Sequence, residues 1–232
     1  MKKLLTILIA LFMLMSISSC DKKDEPTYKA TAKNNYNDFI NAQINDELEL
    51  IMSVQAHQSW WDNTVTIYGQ DNDGGYFVYC ASADEETAKK LVPGTLIKVT
   101  GTKSEWSGEL ELVDATFEIL DEQGKVYDYV DYTDIMKDDD ELIKHMNEKV
   151  TLKNLDVIEL NKKDSETDPD LYITVTANGK FYDLCVENYL TGPETEVYKT
   201  AETLGPGDVI DIEGFLYWYN FPNPHVMSIT IH

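Results

Sequence analysis

The 232-residue chain has no nucleophile elbow, phosphate loop, HExxH or CxxC. Each absence removes a chemistry that needs that spacing: a serine poised on a strand-to-helix turn, a backbone cradle for phosphate, paired metal ligands, or a redox dithiol. The four histidines, His57, His145, His225 and His232, are scattered without metal-ligand spacing. Asp71-Asn72-Asp73-Gly74 has the look of a calcium loop, but Gly69 and Cys80 stand where such a loop needs Asp and Glu, so a hairpin turn is expected there. A second acidic stretch, Asp164 to Asp170, reads as a flexible oxygen-rich loop of a kind that can hold calcium but usually does not, and Glu109 and Glu111 read as alternating residues on a solvated strand edge. No enzyme, no cofactor and no metal site is expected.

Cations are also scarce. Lys and Arg number 19 against 42 carboxylates, for a net charge of -23. Nucleic-acid binding draws affinity from cations that neutralise phosphates, so this balance sets a DNA or RNA partner aside. Long apolar runs are limited to Leu4 to Met15, shorter than the ~20 residues of a membrane span. Lys2 and Lys3 precede that run, and Ser16-Ile17-Ser18-Ser19-Cys20 follows it.

This pattern resembles a bacterial lipoprotein signal peptide with its lipobox. The resemblance implies removal of residues 1–19, acylation of Cys20 by palmitate-type chains and tethering through residues 20–33. Losing Lys2 and Lys3 would take the charge from -23 to -25. Asp21-Lys22-Lys23-Asp24-Glu25 resembles an export tag of surface lipoproteins, which implies a lipid-anchored protein of the cell outer membrane, on its outer face. Cysteine is otherwise limited to Cys80 and Cys185, expected as buried free thiols.

What is present is a repeat. Leu91-Val-Pro93-Gly94 feeds an alternating strand that reaches Gly101, then a loop around Trp106 and a second alternating strand; Leu204-Gly-Pro206-Gly207 feeds the same sequence of features through Gly214 and Trp218. Upstream of the first copy, an alternating strand from Leu48 to Val54, a second over Thr64 to Tyr68 and a third over Tyr76 to Cys80 are expected, followed by a helix over Asp84 to Leu91. In the second copy Asn178-Gly179 is a strong hairpin signal. A short helix carrying Tyr36, Phe39, Ile40 and Ile44 precedes the first copy, and one carrying Leu142, Ile143 and Met146 precedes the second.

Three strands, a helix and two strands is an order that resembles the OB-fold, a five-stranded Greek-key barrel. The expected fold is therefore all-β with short helices: two tandem OB-fold-like barrels, each with a helix between strands three and four. They cover residues 34–125 and 126–232, with the boundary near 125–135, and each half is expected to fold alone. An immunoglobulin-like sandwich would need about seven strands per repeat.

Ring-bearing side chains concentrate in the loops that an OB-fold uses for ligands. Trp60 and Trp61 lie in the first loop of repeat one, Trp106 in its last, and Tyr217, Trp218 and Tyr219 in the last loop of repeat two. Two readings follow. One is a non-catalytic binding module that stacks a glycan or glycopeptide on these rings, with His57, Gln58, Asp62, Asn63, Lys103 and Glu105 offering hydrogen bonds. The other is an interaction lipoprotein of an envelope complex that buries the same rings against a protein partner and has no small ligand.

Overall fold

The computed structural model describes residues 28–162 and 169–232. The expected leader, Cys20, residues 20–27 of the tether and residues 164–168 of the second acidic loop lie outside them. The fold is mostly β, with short helices. In the first half, α1 (Tyr36–Asn41) starts at a capping box in which the Asn35 side chain takes the Asp38 amide and the Asp38 side chain takes the Asn35 amide. Its C-terminal carbonyls are held by a buried lysine: Lys103 Nζ donates to Ile40 O at 2.8 Å and Ala42 O at 2.9 Å. Lys103 was expected to face a ligand, and this inward role corrects that. Phe39 turns inward onto Tyr76 while Ile40 and Ile44 stay exposed.

Strands β1 (Glu47–His57), β2 (Thr64–Gln70), β3 (Gly75–Ser82), β4 (Thr95–Trp106) and β5 (Glu109–Gln123) close a five-stranded barrel in the order β1-β2-β3-β5-β4. A sandwich is thereby ruled out for this half. Helix α2 (Glu85–Ala88) falls between β3 and β4 and begins at Asp84, whose side chain accepts the Thr87 amide. The Asp71 turn has the expected local chemistry: its carboxylate accepts from the amides of Asp73 and Gly74 and from the Tyr76 hydroxyl.

A connector lies over the outer face of β1, where Gln55 Nε2 donates to Lys125 O at 2.9 Å and Lys125 N to Ser53 Oγ at 2.9 Å. The two-residue strand β6 (Val130–Asp131) then runs parallel to β7 (Lys149–Lys162). Helix α3 (Asp139–Leu142) continues into a 3₁₀ turn, Ile143–His145, and buries Leu142 and Met146 but leaves Ile143 exposed. Strands β8 (Leu171–Ala177) and β9 (Lys180–Val186), helix α4 (Glu196–Ala201), β10 (Val209–Phe215), the small hairpin β11 (Trp218–Tyr219) and β12 (Phe221–Pro222), and β13 (His225–Ile231) follow. In this half β10 pairs with both β13 and β7, and β13 meets β9 in parallel at His225 and Cys185.

The repeat is visible at equivalent hydrogen bonds. Gly94, at φ 89°, gives its amide to Val54 O, and Gly207, at φ 97°, gives its amide to Val157 O. Each acceptor sits at a register shift, Val54/Ala56 and Val157/Glu159. Asn178 and Gly179 both have positive φ, as their hairpin turn requires.

Each half has its own apolar cluster, one with Leu50, Ile67 and Leu112, the other with Leu152, Ile173 and Leu184. A third cluster belongs to the seam between them: Tyr68 and Phe77 of the first half against Phe215 of the second, with Tyr68 stacked on Phe215 at 4.5 Å. Glu109 crosses the same seam. It is fully buried and takes hydrogen bonds from Asn147 Nδ2 and from the Trp218 amide. Glu109 and Glu111 are thus buried, correcting the expected solvated edge; Glu109 is held under residues of the other half of the chain.

Candidate aromatic binding trough

Two grooves lie along the seam and share part of their lining. The first, of about 580 Å³, is walled by Trp61, Tyr79 and Tyr189, with Phe77 and Glu111 deeper inside. The second, of about 890 Å³, is walled by Tyr172, Phe181, Tyr219 and Phe221, with Asp170 and Asp183 beside them. Trp106, Glu187, Tyr217 and His225 line both and form the junction. Seven aromatic side chains are exposed among the described residues: Trp61, Tyr79, Trp106, Phe181, Tyr189, Tyr219 and Phe221. All seven face this trough.

The local sequence explains how they are held out. Trp61 caps a tight turn in which Trp61 and Thr64 exchange both backbone hydrogen bonds, with Asp62 and Asn63 at positive φ. Trp106 ends β4 at a turn whose Ser107 and Gly108 also have positive φ, and Ser107 O accepts the Asn220 amide, tying this loop to the aromatic hairpin of the second half. Ser59 N to Tyr189 O, at 2.6 Å, ties the other end.

Beneath the junction the rings form a fixed stack. Tyr217 lies on His225 at 4.1 Å, and the Tyr68 hydroxyl meets His225 Nδ1 at 2.6 Å. Burial pushes the His225 imidazole down to about 3 and pushes the Tyr68 phenol well up. The tyrosine therefore keeps its proton and donates it to Nδ1, leaving the proton of the neutral imidazole on Nε2. The same burial pushes the Tyr217 phenol up. Burial raises the Glu111 carboxyl as well, opposed in part by a hydrogen bond from Ser104. Tyr79 is raised first by its hydrogen bond with Cys80.

Of the residues expected to bind, Gln58, Trp61, Trp106, Tyr217 and Tyr219 are brought together in the trough. The others are placed elsewhere. Trp60 is half-buried against the first core, and its indole N–H is spent on Ala83 O at 2.9 Å. Trp218 is buried under the Trp106 loop, so close that a Cβ on Gly108 would sit 2.9 Å from it. His57 Nδ1 contacts Gln58 O at 2.7 Å, and Asn63 belongs to the turn rather than to the walls. Cys80 was expected to be buried and is instead half-exposed in the first groove, whereas Cys185 is buried; neither forms a disulfide. Among the described residues no cluster of His, Cys, Asp and Glu suited to a metal ion occurs.

No protein-family model and no curated protein matches the chain. Similarity is found among solved structures. One is a murine DNA binding protein bound to double-stranded DNA, at 10% identity and TM-score 0.36, covering 79% of this chain and 94% of that one. Another is the Ifi202 HINa domain with 20-base-pair double-stranded DNA, at 11% identity and TM-score 0.34, covering 81% and 98%. A third is a Replication Protein A heterotrimer bound to single-stranded DNA, at 11% identity and TM-score 0.31, covering 82% of this chain and 49% of that one.

The ligand these neighbours carry is DNA. That ligand differs from those expected of this chain, which were a glycan or glycopeptide held by a surface lipoprotein, or the protein partner of an interaction lipoprotein in an envelope complex, with nucleic acid set aside.

Phe181, Phe221, Tyr79, Tyr172 and Tyr189 were missed as candidates. Phe181, Tyr79 and Tyr172 alternate along strands, a pattern that reads as core. The signal that could have singled out Phe221 was its place in Tyr217-Trp218-Tyr219-Asn220-Phe221-Pro222, a run too rich in rings for one barrel mouth to bury.

Proposed function

We propose that the chain is a non-enzymatic binding protein made of two tandem OB-fold-like units, 34–125 and 126–232, each with a helix between its third and fourth strands. In this reading the binding face is the trough, which neither unit forms alone. One observation carries it: all seven exposed aromatic side chains of the described residues converge on this one surface, although they come from six separate segments of chain. A folded protein exposes large rings together where it has a use for them, because each exposed ring forgoes burial and invites association. The Tyr217–His225 pair at the junction is already stacked, so it loses little freedom when a ligand arrives.

The test is a binding screen of the full chain against peptides, oligonucleotides and small ring-bearing compounds, read by tryptophan fluorescence. Trp106→Ala and Phe221→Ala then follow, singly and together. Each ring is worth about 0.5–1.5 kcal/mol beyond area burial, so each loss is expected to weaken binding about two- to tenfold with an unchanged melting temperature. A ligand bound equally well by the folded double variant would place the site elsewhere, for instance in the groove of about 830 Å³ between α1 and the Ile143–His145 turn.

A further inference from the structure

We infer that the trough takes an extended basic segment of polypeptide, holding its lysine or arginine side chains between ring faces and carboxylates. The inference rests on the trough being the binding face and adds the chemistry of the occupant.

The first argument is charge at the walls. Glu111 and Glu187 face the first groove, and Asp170, Asp183 and Glu187 the second. The single cation among the lining residues is Lys162, and it is already paired with Glu202 at 2.7 Å. The chain holds no arginine at all, and its net charge of -23 extends the same sign over the whole molecule. A basic ligand is drawn to such a surface from a distance and kept there by a poorly hydrated lining.

The second argument is how this protein uses its own cations. Lys103, Lys125 and Lys149 lie over the rings of Phe39, Tyr127 and Tyr129, at 5.5, 4.9 and 4.2 Å. No such contact occurs at a trough ring among the described residues, so the electron-rich faces of Trp61, Trp106 and Tyr219 stand open to an incoming cation. Carboxylates set beside open rings form the arrangement that receives ammonium and guanidinium groups.

The third argument is extent. A pocket for a small molecule has about 300–1,000 Å³. The two grooves, about 580 and 890 Å³, share Trp106, Glu187, Tyr217 and His225 and together exceed the room of one such pocket, which suits a chain lying along the seam better than one compact molecule.

The experiment titrates the purified full chain by calorimetry with four probes: a ten-residue peptide alternating Lys and Gly, the same peptide with Glu for Lys, spermine, and a ten-nucleotide thymidine oligomer. The Lys peptide is expected to bind best, with affinity falling at least about tenfold between roughly 50 and 300 mM salt. Glu187→Gln with Asp183→Asn is expected to weaken it about tenfold, and Trp106→Ala with Phe221→Ala by a similar factor, at unchanged melting temperature. Lys-peptide binding that survives the ring substitutions would be general surface attraction and would overturn the inference. Spermine binding as tightly as the peptide would overturn the peptide as occupant. If the oligonucleotide or the Glu peptide binds best and still depends on Trp106 and Phe221, the charge argument fails while the trough stands as the binding face. If no probe binds at the rings, both readings fall.

Discussion

Glu109 shows how much can hang on one carboxylate. It is fully buried, accepts two hydrogen bonds across the seam, and has a buried neighbour, Asn147, whose Oδ1 finds no partner. Burial raises its carboxyl well above the ordinary range. A raised folded value means that the folded chain holds this proton more tightly than the unfolded chain. The stability gained is complete below the unfolded value of about 4.3 and is lost as pH rises through the folded value. Glu109→Gln removes that dependence, so urea melts are expected to show the variant gaining on wild type as pH rises from about 4 to 8. Glu109→Ala instead orphans the Trp218 amide and Asn147 Nδ2, at about 1–3 kcal/mol for each donor left without a partner. The pair Glu109 and Glu111 was legible only as two residues on one face of a strand. The partners of Glu109 come from 38 and 109 positions away, Asn147 and Trp218, and no local pattern encodes them.

At the level of elements the sequence was far more informative, because turns and caps are short-range chemistry. Pro93-Gly94 and Pro206-Gly207 and the Asn178-Gly179 hairpin could be placed from residue type alone, whereas Asp84, expected inside its helix, caps it. The two glycines of the second repeat are there for different reasons. Gly207 has φ 97° with open space around it, whereas a Cβ on Gly214 would sit 2.3 Å from His225 O. Gly207→Ala is expected to cost about 1–2 kcal/mol through backbone strain, and Gly207→Asn less, since Asn tolerates the left-handed region. Gly214→Ala is expected to cost roughly 1–3 kcal/mol by overpacking, with Gly214→Asn no better. Thermal melts of the four variants check the contrast. Equal rescue by Asn at both positions would contradict the steric account of Gly214.

For the whole molecule, the Tyr68, Phe77 and Phe215 cluster changes what the repeat means. A repeat was readable in the sequence, but the docking of the two halves was not, since Tyr68 and Phe77 sit in strands whose alternation is the same whether the outer side meets water or the rest of the chain. Cutting the chain near residue 129 would expose these rings on one fragment and Phe215 on the other. The intact chain is therefore expected to melt in a single transition, and Phe215→Ala to lower the stability of the whole by about 3–5 kcal/mol. Separately expressed halves are expected to be less stable than the whole and to associate when mixed. Two independent transitions at the temperatures of the isolated halves would show the seam to be energetically idle.

The seam also joins unlike surfaces. The first half offers β2, β3 and the Trp106 loop; the second offers the Phe215 end of β10, the Trp218 hairpin and the start of β13. A head-to-tail contact of this kind has no symmetry that closes it, so in principle it can be repeated without limit. The second half still presents β8 and β9, with Phe181 bare, where the first half presents β2 and β3 to its neighbour. What opposes fibre growth from that free end is the charge of the molecule itself, since each added copy brings another -23 to the stack. The acidity that frames the trough is thus expected also to work against polymerisation.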